Sequence, residues 1–143
     1  MWKLFFILII GYVQAITDEV IKAEFIKLVM KCAKDHPVEM SELMSLQKLV
    51  PPTDPNTKCL LACAYKASKV MNSKGEFDLE ENYNIAQLTK GDNETDLANA
   101  KKLADTCVKV NDVKVKDGEK GCERASLIFK CVIHNAPKLG FKV

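Results

Sequence analysis

The stretch Cys59-Leu60-Leu61-Ala62-Cys63 places two cysteines four residues apart within a run of helix-forming side chains. In an α-helix, positions i and i+4 lie one turn apart on the same face. Both thiols therefore point the same way. Two cysteines on adjacent turns of one helix lack the Cβ geometry that a disulfide needs. Each must find its partner elsewhere, and one short helix becomes the bracket to which two other segments are fastened.

The chain has 143 residues, enough for one domain with a core of its own. It opens on Met1-Trp2-Lys3, then the apolar run Leu4-Phe5-Phe6-Ile7-Leu8-Ile9-Ile10, then Val13-Gln14-Ala15 with small residues at the −3 and −1 positions of a cleavage site. This pattern predicts a signal peptide over residues 1–15, cut after Ala15, and a secreted domain over residues 16–143. A membrane anchor is the alternative, but the apolar run is about half of the ~20 residues a spanning helix needs. Loss of Lys3 with the signal lowers the formal net charge from +2 to +1. Lysines are interleaved with acidic residues rather than clustered, so nucleic acid is not an expected partner.

All six cysteines (Cys32, Cys59, Cys63, Cys107, Cys122 and Cys131) lie beyond the signal peptide. An even count in a small secreted chain predicts three disulfides.

Helical periodicity organises the rest. A first helix is expected from Asp18 to about Lys34, with Ile21, Phe25, Leu28, Val29 and Cys32 on one face, capped by Thr17 or Asp18 and ended by Pro37. A second is expected from a Ser41 cap to Leu49, and Pro51-Pro52-Thr53-Asp54-Pro55 reads as a non-helical connection. The third covers roughly Thr57 to Met71, followed by a turn at Asn72-Ser73-Lys74-Gly75. The fourth follows Asp78 and stops at Gly91, with Leu79, Tyr83, Ile85 and Ala86 inward. The fifth runs from an Asp92 or Asn93 cap to about Val110, and Asn111 to Gly118 reads as a loop. The sixth, from about Glu119 to Asn135, is apolar nearly all round at Leu127-Ile128-Phe129 and Cys131-Val132-Ile133, which predicts burial on most sides. No strands are expected. The fold class is all-α: about six helices in one compact domain stapled by three disulfides.

Six cysteines allow about 15 pairings, and excluding Cys59 with Cys63 and Cys122 with Cys131 leaves roughly ten. Cys122 and Cys131 fall on opposite sides of the sixth helix, at about 100° per residue, so that helix must be tied to two different neighbours. Covalent staples also allow a helical domain to keep an internal void, although the same composition fits a solid core, and on composition alone the solid core is the favoured reading.

The cysteine string reads C-x26-C-x3-C-x43-C-x14-C-x8-C. With the signal peptide, six helices and this size, it resembles the insect odorant-binding proteins, the group that includes the pheromone-binding and general odorant-binding proteins. The x3 and x8 intervals are its specific part, and Cys122-Glu123-Arg124-Ala125 through Phe129-Lys130-Cys131 is similar to that family's sixth-helix segment. The resemblance covers the mature chain. It implies the pairs Cys32–Cys63, Cys59–Cys122 and Cys107–Cys131, an apolar cavity, and a carrier that brings small hydrophobic molecules (odorants or pheromones) through extracellular fluid to a membrane chemoreceptor. In an olfactory organ that fluid is sensillum lymph. A monomer or weak homodimer, with no cofactor and no catalysis, is the expectation.

Combined with helical phase, the resemblance nominates Met44, Leu60, Tyr65, Phe77, Ile85, Leu88, Leu103, Phe129 and Phe141 as pocket residues. The Tyr65 and Tyr83 hydroxyls are the candidates to meet a ligand oxygen. His134 or His36 is the candidate pH switch, against the plainer reading of surface histidines with no linkage. Leu139 and Phe141 could form a lid, or the tail could be disordered. Asn93-Glu94-Thr95 is a glycosylation sequon that coincides with a helix cap, and the cap is the favoured explanation. The C-x3-H at Cys32 to His36 and the C-x3-C at Cys59 would suggest zinc in a reducing compartment, but behind a signal peptide the thiols oxidise and no metal is expected. No G-x-S-x-G, H-E-x-x-H or nucleophile–base pair is present. The competing reading is a disulfide-stapled helical module with a solid core that binds a protein or a membrane surface.

Overall fold

Four of the six helices begin where a short polar side chain satisfies the first free N–H groups. In the computed structural model, which describes residues 16–143, α1 spans Asp18–Cys32 and is capped by Thr17, whose hydroxyl accepts from the Val20 N–H at 3.3 Å. Helix α2 (Met40–Gln47) begins at Glu39, without a side-chain cap, so Ser41 sits inside its first turn rather than at its start. Helix α3 (Pro55–Ala67) is capped by Asp54, which accepts from Thr57 N–H at 3.1 Å. Its first residue is Pro55: a proline at the first helical position lacks only an N–H that would be unpaired anyway. The non-helical connection expected through Pro55 therefore stops one residue earlier.

Helices α4 (Leu79–Lys90) and α5 (Glu94–Cys107) start on Asp78 and Asn93, and Asn93 Oδ1 accepts from both Thr95 and Asp96 N–H. A 3-10 turn, Val108–Asp112, extends α5 into what reads as loop in the sequence. Helix α6 (Cys122–Asn135) starts later than Glu119 because Gly121 takes φ 72° and separates it from the 3-10 turn Gly118–Lys120. A Cβ on Gly121 would lie 2.6 Å from Met71 Sδ and 3.1 Å from Gly75 Cα, so glycine there lets the 72–75 turn dock against the start of α6. Among the described residues there is no strand, only an isolated Met71–Phe77 bridge. The signal peptide expected over residues 1–15 lies outside the described residues.

Three disulfides tie the helices together. Cys32–Cys63 joins the end of α1 to α3, Cys59–Cys122 joins α3 to the start of α6, and Cys107–Cys131 joins the end of α5 to α6. Helix α3 thus grips two neighbours from one face, and α6 is held on opposite sides. Helices α2 and α4 carry no cysteine. They are held without a crosslink, by packing and side-chain polar contacts, α4 chiefly against α5 and α2 through the Thr57 hydroxyl that donates to Glu42.

The main core lies between α3, α5 and α6, around Leu61, Met71, Cys107, Ala125 and Ile128. A smaller cluster of Val29, Cys32, Leu60 and Ala64 lies where α1 crosses α3. Neither fills the space between α1, α2, α4 and α5.

Candidate functional site

That unfilled space is a cavity of about 390 Å³. All six helices contribute to its wall: Phe25 and Val29 from α1, Leu43 and Leu46 from α2, Leu61 and Tyr65 from α3, Ile85 and Ala86 from α4, Leu103 and Ala104 from α5, and Phe129, Val132 and Ile133 from α6. Small side chains explain the void. Ala86, Ala100 and Ala104 face it where a close-packed core would place larger ones.

Of the pocket residues expected from the sequence, Tyr65, Phe77, Ile85, Leu103, Phe129 and Phe141 line this cavity, whereas Met44, Leu60 and Leu88 do not. Leu60 is fully buried, but in the smaller cluster behind α3. Met44 is 49% exposed and Leu88 is 78% exposed. The physical reason is the same for all three: each lies about 100° or more around its helix from the middle of the lining face, which is set by Leu61 and Tyr65 on α3, by Leu43, Leu46 and Gln47 on α2, and by Asn82, Ile85, Ala86 and Thr89 on α4. Tyr83 also turns outward, donating its hydroxyl to Asp105 on α5. Tyr65 instead presents its phenol to the cavity wall, its ring 5.3 Å from that of Phe25, and burial pushes the phenol pKa up.

The tail closes one end. After the 3-10 turn Pro137–Leu139, Gly140 takes φ 88° and the chain doubles back, so that Phe141, Lys142 and Val143 join the lining. Asp18, at the first residue of α1, holds it there. Its Oδ2 accepts from the Lys142 N–H at 2.9 Å and its Oδ1 pairs with the Lys90 ammonium, which lies 5.4 Å from the centre of the Phe141 ring. Lys22 donates to the terminal main-chain oxygen of Val143 at 3.3 Å, and Asn99 to the Leu139 carbonyl at 3.3 Å. Burial pushes the Asp18 carboxyl up, but the Lys142 N–H and the Lys90 ammonium outweigh it and hold the pKa below its ordinary value of 3.8.

Neither histidine reaches this contact. His134 is exposed on α6, its Nε2 2.9 Å from Lys138 Nζ, and His36 lies beyond the end of α1; neither lines the cavity. Among the described residues, no group of three or more His, Cys, Asp or Glu side chains is arranged to hold a metal ion.

Asn111 was legible only as a loop residue, yet it positions one wall. Its Oδ1 accepts from the Phe77 N–H at 2.8 Å and its Nδ2 donates to the Phe77 carbonyl at 2.9 Å. Phe77 is 5% exposed, so both backbone groups would be stranded without it. Replacing Asn111 with alanine should lower stability by about 2 kcal/mol, measured by urea denaturation, the cost of buried backbone groups left unpaired.

Six helices tied by three interlocked disulfides thus surround an apolar cavity, the concave and mostly apolar shape typical of small-molecule sites. The model of the PBP/GOBP family, the pheromone-binding and general odorant-binding proteins, matches residues 14–135, and the chain belongs to that family. Among solved structures, the odorant-binding protein dmelOBP28a from Drosophila melanogaster has the same fold, with a TM-score of 0.67 and 24% sequence identity over 87% of this chain and 99% of that one. No curated protein sequence matches. Among the described residues no helix is long and apolar enough to cross a membrane.

Proposed function

We propose that the protein is a secreted carrier that takes up small hydrophobic molecules in the cavity between its helices and releases them to a membrane receptor. The observation that carries this reading is the cavity itself, about 390 Å³ and walled by apolar side chains, in a member of the odorant-binding family. Transfer of an apolar ligand from water into such a site is driven by the area it removes from solvent, about 25 cal/mol per Å². No bond is made or broken. Left empty, a void of this size costs at most on the order of 9 kcal/mol. Three crosslinks at ~3–4 kcal/mol each offset a cost of that order, so stapling and hollowness belong together.

The experiment is uptake of a fluorescent apolar probe by refolded, fully oxidised residues 16–143. That segment contains no Trp, so its own fluorescence does not interfere. Saturable one-to-one uptake, displaced by neutral alcohols or esters and weakened by deleting residues 141–143, supports the carrier and its tail as a lid. No saturable uptake would favour the solid module and move the search to protein partners.

The state of Asp18 sets the pH window. Because its pKa is depressed in the closed form, ionisation favours closure, and that contribution is complete above the ordinary carboxylate pKa and lost as pH falls through the depressed value. The charged groups facing it are Lys90, Lys142 and Lys22, with Glu19 drawing the Lys142 side chain at 3.7 Å. Probe affinity should therefore stay flat from about pH 7 to about pH 5 and fall only below about pH 4. A progressive loss between pH 7 and 5 would point to His134 or His36 instead.

A further inference from the structure

We propose that the Tyr65 hydroxyl is the polar anchor of the cavity, and that the ligand is a neutral carbonyl compound (a ketone, aldehyde or ester) whose oxygen accepts from it. This rests on the carrier reading and names its ligand class.

Tyr65 stands apart from the other polar side chains in the wall. Those at the tail end are paired: Lys90 with Asp18, Lys142 with Glu19, and Lys22 with the terminal oxygen of Val143. Asn82 gives its donors to the Val70 and Asp78 carbonyls, and Thr89 gives its own to the Ile85 carbonyl. Gln47, at the end of α2, is exposed and meets water. Tyr65 is 6% exposed, and its hydroxyl has no hydrogen-bond partner among the described residues. Burial alone raises its pKa, with no hydrogen bond or charge contributing. Nor is the hydroxyl sealed in protein, as the unpaired Asp117 Oδ1 and Arg124 Nε are. It opens onto the cavity.

A phenylalanine at this position would stack on Phe25 equally well, and would bury no hydroxyl. A donor taken out of water without a partner opposes folding. The one unmet buried donor in the wall is therefore met when a ligand brings an acceptor. A carbonyl oxygen accepts and carries no donor of its own, whereas an alcohol brings a second O–H to be satisfied. A carboxylate would shed its hydration for a single donor. Phe25, beside Tyr65, lies about 10 Å along α1 from Asp18, so the anchor is set back from the tail. The apolar wall between them receives the alkyl chain.

The test pairs undecan-2-one with 2-methylundec-1-ene, in which a methylene group replaces the carbonyl oxygen. Both are used to displace a neutral fluorescent probe from residues 16–143, as wild type and as Tyr65→Phe. The alkene is the more hydrophobic of the two, so the readout is the change in each ligand's affinity between the proteins. Tyr65→Phe should weaken the ketone about tenfold and leave the alkene unchanged. The infrared carbonyl stretch of bound, carbonyl-labelled ketone should lie at lower frequency in wild type than in the variant, a difference that altered packing alone does not produce. Equal losses for ketone and alkene, or no loss for either, overturn the inference and leave the carrier intact. So does a carbonyl stretch that is the same in both proteins. Absence of probe uptake by the wild type overturns both.

Discussion

Replacing Cys59 and Cys122 together by serine should lower the melting temperature by about 15 °C, the largest loss among the three paired replacements. Their crosslink closes a separation of 63 residues, against 31 for Cys32–Cys63 and 24 for Cys107–Cys131. In the chain-entropy account, restricting the longest loop of the unfolded chain contributes most, here about 4 kcal/mol. For a domain of this size each kcal/mol shifts the midpoint by roughly 4 °C. The crosslink also joins the two helices that pack most extensively, α3 and α6. Differential scanning calorimetry of the three paired serine variants checks the order. If removing the 59–122 bridge costs no more than removing the 107–131 bridge, packing rather than chain restriction holds the shell.

The second large effect is on binding. Ala86→Phe should abolish probe uptake, by about a hundredfold or more, while leaving the melting temperature unchanged or raised. Ala86 is buried at 4% exposure and lines the cavity, yet it belongs to neither of the packed core clusters. Its methyl group faces space. A larger side chain there fills the void and removes the cavity term rather than forcing neighbours apart. In a solid core the same substitution would be overpacking, which typically costs 1–3 kcal/mol. A variant that loses binding without losing stability distinguishes the two. A destabilised variant that still takes up probe would place the ligand elsewhere.

Much of this architecture is written locally. The five-residue Cys59–Cys63 stretch requires two outside partners, and the half-turn offset of Cys122 from Cys131 requires α6 to have two neighbours; the structure has both. Helix starts at Thr17, Asp78 and Asn93 follow from side chains that accept from N–H groups two or three positions on. Pocket residues are harder to read, because several helices carry apolar side chains on more than one face. Leu60, Met44 and Leu88 are as apolar as their neighbours, and only the direction in which each helix meets the void separates them. The tail contact had no local signal. Asp18 and Lys142 are 124 positions apart, and Asp18 and Lys90 are 72 apart, so an ordinary N-terminal acid and an ordinary C-terminal lysine look like dipole complements until the fold brings them together. Asn111 is legible as a partner of Phe77 only once the 72–75 turn has docked on α6.

The central claim is that ligand enters between the helices rather than adhering to their outside. Methyl-resolved NMR of residues 16–143, titrated with dodecanol, tests it most directly. The account predicts saturable shifts and ligand contacts at Ala86, Leu103, Ala104, Val132 and Ile133, with Met44 and Leu88 unaffected. Shifts concentrated at the exposed methyls of Met44 and Leu88, with the cavity methyls silent, would contradict it.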